Sequence, residues 1–217
     1  TPAGPLHAVD DVSIAIQHGQ TLGVVGESGC GKSTMGRTIL RLLEATSGEV
    51  LYNGENILKY NRSQMEQMRK KMQIIFQDPY SSLNPRMTVA DSILEPMEIH
   101  HMYDGDKDRQ REEVARIMDT VGLASRLYNA YPHELDGGRR QRIGVARALA
   151  LDPKFVVCDE CVSALDVSIQ SQIINLLQEL KEKDGLTYLF ISHNLSVVRY
   201  ISDRIGVMYL GNMVEIA

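Results

Sequence analysis

"TLGVVGESGCGKSTMGRTILRLL", residues 21–43, decides the fold. It opens on an apolar run of β-type residues, 21–26, and closes on a stretch, 32–43, whose apolar positions fall three and four apart, the spacing of a helix face. Between them Gly26-Glu27-Ser28-Gly29-Cys30-Gly31-Lys32-Ser33 fills every fixed position of G-x-x-x-x-G-K-[ST]. Strand, glycine-rich turn and helix in that order let backbone N–H groups turn inward around the phosphates of a nucleoside triphosphate, helped by the helix N-terminus. Lys32 then offers a point charge to the β/γ oxygens, and the Ser33 hydroxyl is a candidate ligand for Mg²⁺. Cys30 sits near a helix start and a lysine, both of which favour a thiolate, although a small filler residue is the plainer reading.

Working outward, further apolar runs occur at 72–76, 154–159, 186–192 and 204–210. Runs apolar at successive positions suit strands buried on both faces of a parallel or mixed sheet. Residues 168–183 repeat the helical spacing, while Gly48, Asn53 and Gly54 punctuate a short hairpin. Residues 82–150 carry helical charge and apolar periods but no convincing strand. The expectation is one α/β domain, 1–217, whose core, 1–81 and 151–217, is interrupted by a helical insertion, 82–150.

Composition narrows the function. The chain has 217 residues, 43% hydrophobic and 24% charged, with a net charge of −5, which argues against a nucleic-acid partner. The clusters Arg69-Lys70-Lys71 and Arg139-Arg140 read as solvated helix surface. No apolar run approaches the ~18 residues that would cross a bilayer, and no signal peptide opens the chain. Three cysteines do not make a disulfide framework, so a reducing compartment is expected, and Cys158-x-x-Cys161 lacks the second pair of a zinc site.

"FVVCDE" places Asp159 and Glu160 at the end of an apolar strand. An acid there can reach Mg²⁺ beside a phosphate loop, commonly through water, and Glu160 can take the proton from an attacking water. Gln77 follows the run 72–76 and His193 the run 186–192, so both belong to the edge where α/β sheets gather ligands. Gln77 can ligate Mg²⁺ or the water; His193 can hold the γ-phosphate and the water in line. In "PHELDGGRRQR", 132–142, two glycines open a basic helix, a place for an anion, yet Asp136 stands in front of them. Aspartate is also among the best helix N-caps.

These pieces in this order resemble the ATP-binding subunits of ABC transporters along the whole chain. The resemblance matches the Walker A loop to 26–34, ending at Thr34, the Q-loop to Gln77, and the signature to Leu135-Asp136-Gly137-Gly138-Arg139. It matches Walker B to 155–160, the D-loop to Ser163-Ala164-Leu165-Asp166, and the switch histidine to His193. "IIFQDPYSSLNPRMTV", 74–89, together with "RRQRIGVARALALDPK" and "VSALDVSIQSQI", is similar to importers of oligopeptides, dipeptides and nickel. The resemblance implies a P-loop NTPase (RecA-like) core with an antiparallel β-hairpin part near the N-terminus and an inserted helical subdomain carrying the signature. It implies ATP and Mg²⁺, head-to-tail pairing with a second ATPase subunit, and docking on membrane permease subunits served by a solute-binding protein, at the cytoplasmic face of the membrane. Each ATP would then be held between one subunit's Walker A loop and the other's signature helix.

Four departures accompany the match. The family's signature is Leu-Ser-Gly-Gly-Gln, so Asp136 replaces a serine. Cys161 stands where proline follows the catalytic glutamate. No Phe, Trp or Tyr precedes "AVDDVS" (8–13) to stack on adenine, where only His7 offers a ring. The C-terminal extension usual in the importer group does not follow Ala217, which reads as a trimmed nucleotide-binding domain. Two other functions stay open at this level: a nucleotide-binding module with weak turnover, which Asp136 would suit, and a soluble ABC-type ATPase outside transport.

Overall fold

A computed structural model describes residues 7–217. The five apolar runs become strands of one sheet: β1 (Thr21–Gly26), β4 (Met72–Ile75), β5 (Phe155–Asp159), β6 (Thr187–Ile191) and β7 (Arg204–Tyr209). A sixth strand, β8 (Asn212–Ile216), completes the order β4-β5-β6-β1-β7-β8, all parallel except the antiparallel β7–β8 pair. β8 escaped the sequence reading because it is an edge strand, largely exposed, without a continuous apolar run. The remaining pair, β2 (Leu51–Tyr52) and β3 (Glu55–Asn56), forms the expected hairpin. Asn53 and Gly54 both take positive φ in its turn, the conformation that matches a tight hairpin.

Alternation along the strands explains why their runs are apolar at every position. Leu22, Val24, Val157, Leu189 and Ile191 face one side, against Met35 of helix α1 (Lys32–Ile39) and Met65 and Met68 of α2 (Arg62–Lys71). Val25, Val156, Cys158, Tyr188 and Phe190 face the other, against α7 (Val167–Asp184) and α8 (Leu195–Ile201). Between β4 and β5 come α3 (Pro79–Ser82), α4 (Val89–Ile99), α5 (Lys107–Thr120) and α6 (Gly137–Leu149), with no strand among them. Thr88 and Asp91 start α4 with a capping box, which stops the chain from continuing as an extended loop. No helix among the described residues is long and apolar enough to cross a membrane.

Helix α1 ends four residues before the apolar spacing does. Arg41 adopts φ 52°, its N–H bonds to Thr38 O at 3.0 Å, and the Leu42 N–H bonds to Arg37 O at 2.9 Å. That is a Schellman termination, normally signalled by glycine. Here the Arg41 guanidinium instead donates to the carbonyls of Ile57 and Tyr60, which holds the turn from outside the helix.

Candidate functional site

The site lies at the C-terminal edge of the parallel strands, beside β1, where chain connections leave in opposite directions. Gly26 ends β1 so close to β7 that a Cβ would stand 2.1 Å from Met208 O, and Gly31, at φ 103°, turns the loop into α1. Gly29 also has positive φ. Lys32 is buried and folds back on its own loop, donating to the carbonyls of Gly26 at 2.8 Å and Glu27 at 2.7 Å. Among the described residues no carboxylate pairs with this ammonium, which rests on neutral carbonyls and is ready to exchange them for anionic oxygens.

One turn into α1, the Ser33 hydroxyl donates to Asp159 Oδ1 at 2.5 Å, and Arg37 pairs with Asp159 Oδ2 at 3.2 Å. Asp159 itself is buried at the end of β5. Arg37 escaped the sequence reading, although its position one turn after Ser33 puts both on the same helix face. Ser33, Asp159 and the Gln77 side-chain carbonyl are hard oxygen donors of the kind Mg²⁺ takes, with room left for water and phosphate.

A second cluster forms around Glu160. Gln77 Nε2 donates to Glu160 Oε2 at 3.1 Å, and His193 Nδ1 lies 3.3 Å from the same oxygen. The amide of Gln77 thus engages Glu160, whereas the Ser33 hydroxyl engages Asp159. Glu160 has φ 50°, an uncommon conformation for a residue with a side chain, held by its N–H bond to Ile191 O at 3.0 Å. That kink sends the Glu160 side chain away from Asp159 despite their adjacency, and such backbone outliers concentrate at functional sites. Its carbonyl accepts from both the backbone and the hydroxyl of Ser163, so the following turn is tied to it.

The glycines of Leu135-Asp136-Gly137-Gly138-Arg139 have a packing role beyond anion binding. A Cβ on Gly138 would meet Ile169 at 2.7 Å, and one on Gly137 would touch Leu165 at 3.5 Å, so α7 and the turn before it rest against the start of α6. Asp136 is the N-cap of α6: its carboxylate accepts from Arg139 N at 2.8 Å and pairs with the Arg139 guanidinium at 3.4 Å. Ala164 and Asp166 complete the turn, with Asp166 at the N-cap of α7 but no side-chain cap bond. Gln170 braces that turn by donating to the carbonyls of Val162 and Leu165.

One expectation changes and the cysteine readings hold. Arg140, expected on solvated surface, is buried and donates to Pro132 O at 2.8 Å. Cys30 is buried in the core beneath the loop, so it serves as filler there and presents no open thiol. Cys158 and Cys161 are buried as well, and the Cys158 thiol is pushed well above its usual range by its hydrogen bond to Cys161 and by burial. The adenine-stacking position would fall near the first residues; 1–6 lie outside the described part, and His7 is exposed.

The ABC transporter family model matches residues 9–163. The oligopeptide transport ATP-binding protein OppF of Bacillus subtilis is 60% identical over 218 residues, covering 100% of this chain and 71% of that protein. AppF of the same organism, also an oligopeptide transport ATP-binding protein, is 53% identical over 214 residues, 98% of this chain and 64% of its own length. Among solved structures, the dimeric ATP-binding cassette MJ0796, in a post-hydrolysis state bound to ADP and Pi, superposes with a TM-score of 0.86 at 29% identity, over 97% of this chain and 90% of that one. The parallel sheet, the phosphate loop and these matches agree: the chain belongs to the ABC transporter family.

Proposed function

We propose that this chain is the ATP-binding and hydrolysing subunit of a peptide importer, and that residues 1–81 and 151–217 form its nucleotide-binding core while 82–150 carry the signature loop. The observation that carries the reading is the pairing of two clusters on one sheet edge: Lys32, Ser33 and Asp159 for the phosphates, and Gln77, Glu160 and His193 for the water. The oligopeptide transport roles of the OppF and AppF relatives support the peptide substrate over nickel.

In this mechanism the loop 26–34 wraps the phosphates and Lys32 leaves its two backbone carbonyls for the β/γ oxygens. Mg²⁺, held by Ser33 and Asp159 with Gln77 near, would neutralise charge on the bound phosphates. Glu160 accepts the proton of the attacking water, and His193 and Gln77, already on its carboxylate, orient that water. A second ATPase subunit supplies its own signature loop, and membrane permease subunits receive the resulting motion, so the chain docks peripherally on the membrane.

The test is reconstitution of the full-length protein with its partner ATPase and permease subunits in liposomes. ATP-driven uptake of a labelled peptide, lost in Glu160→Gln, is the expected result. Uptake of nickel but not peptide, or peptide uptake unaffected by Glu160→Gln, would overturn the proposal.

A further inference from the structure

Helix α6 grips α3 at two points. Arg140 and Arg147 lie about two turns apart on one face of α6. The Arg140 guanidinium carbon stands 3.8 Å over the Tyr80 ring, while the same side chain donates to Pro132 O at 2.8 Å and also to Leu135 O. Arg147 donates to Ser82 O at 2.6 Å and to Glu95 at 2.9 Å. One buried side chain therefore touches the segment that follows Gln77 and the loop that leads into Asp136. Gln77, at the other end of that segment, donates to Glu160.

A planar guanidinium suits this geometry better than an ammonium, whose shorter reach and tetrahedral donors would have to be divided between ring and carbonyls. The guanidinium face stacks on an aromatic ring while its edge still donates to two carbonyls. Burial, with only 9% of Arg140 accessible, strengthens the attraction to the ring. We infer that Arg140 is a positioning residue for hydrolysis: through Tyr80 it keeps Gln77 on Glu160 as long as the loop before α6 holds its place. A shift of that loop is then felt at Glu160 through side chains, without passing through the bound nucleotide. The inference rests on the hydrolytic reading above.

The experiment uses the full-length protein assembled with its partner ATPase and permease subunits. Tyr80 is 64% exposed, so Tyr80→Leu removes the ring face without opening a core, and Tyr80→Phe keeps it. Tyr80→Leu should lower kcat for ATP hydrolysis about fivefold, the scale of one cation–π contact on a solvent-exposed ring, with KM for ATP within about twofold and an unchanged thermal midpoint. Tyr80→Phe should match the wild type. Arg140→Lys should lower kcat at least as much as Tyr80→Leu, and adding Tyr80→Leu to it should cost nothing further. Equal kcat in Tyr80→Leu and Tyr80→Phe, multiplying losses in the double variant, or a loss confined to KM would each sink the clamp alone. A wild-type assembly that hydrolyses no ATP would sink the parent reading and this one together.

Discussion

Asp136→Asn isolates a charge from a cap. Asparagine caps a helix about as well as aspartate, so the bond to Arg139 N survives and only the negative charge is removed. In the free subunit that charge does little. Asp136 and Arg139 have side chains 55% and 47% exposed, and such pairs contribute about 0–1 kcal/mol. The thermal midpoint should therefore move by less than roughly 3 °C. In the ATP-bound dimer, the proposed function places the partner's γ-phosphate at the start of α6. Two unit charges ~4 Å apart at an effective dielectric of ~20 repel by about 4 kcal/mol. Solvent exposure and the Arg139 guanidinium 3.4 Å away reduce this, to about 2 kcal/mol for one interface site. That is roughly a 30-fold change in dimerisation. The assay is sedimentation of the protein with MgATP in a Glu160→Gln background, so that closed dimers persist. Asp136→Asn should dimerise at roughly 30-fold lower concentration per impaired site, with a gap that narrows as salt rises. Asp136→Ser, tested without the Glu160 change, should also raise turnover. If both variants stay within twofold of their parents, the repulsion argument is wrong.

Other outcomes follow from the same geometry. Lys32→Ala should weaken ATP binding by about 2–3 kcal/mol, the value of a hydrogen bond to a charged group, as calorimetry would read. Glu160→Gln should leave that affinity unchanged while lowering single-turnover hydrolysis by about 10²–10⁴-fold. Gly26→Ala puts a methyl carbon 2.1 Å from the Met208 carbonyl across β1–β7, so it should cost about 1–3 kcal/mol and roughly 3–10 °C in thermal midpoint. Asp203 is pushed up by burial, but its bonds from Lys181 and Thr21 N–H outweigh that and hold it below the ordinary carboxylate range. Its stabilising contribution is therefore complete above the unfolded value near ~4 and is lost as pH falls through the folded one. Denaturant unfolding of Asp203→Asn should show a deficit at pH 7 that closes at strongly acid pH.

The local signals in the sequence were strong where chemistry and backbone demand coincide. Gly26 to Ser33 states a phosphate loop because glycine conformations, a lysine and a hydroxyl must recur at set spacings, and five strands announce themselves because both faces of the sheet are buried. Asp136 was legible as a cap for the same reason, since capping is a contact between near neighbours. What the sequence could not decide were contacts whose partners lie far apart along the chain. Arg140 looks like any exposed helix arginine until the fold lays Tyr80 over it, and Arg37 looks idle until β5 delivers Asp159. Gly138 reads as room for an anion, yet tertiary packing also needs it bare for Ile169. The separate roles of Asp159 and Glu160 were legible in the sequence, but the left-handed backbone at Glu160 that parts their side chains is announced by no residue type at that position. Sequence determined which groups this protein has for handling a nucleotide; only the tertiary structure decided which of them touch, because touching here is set by sheet order and helix packing.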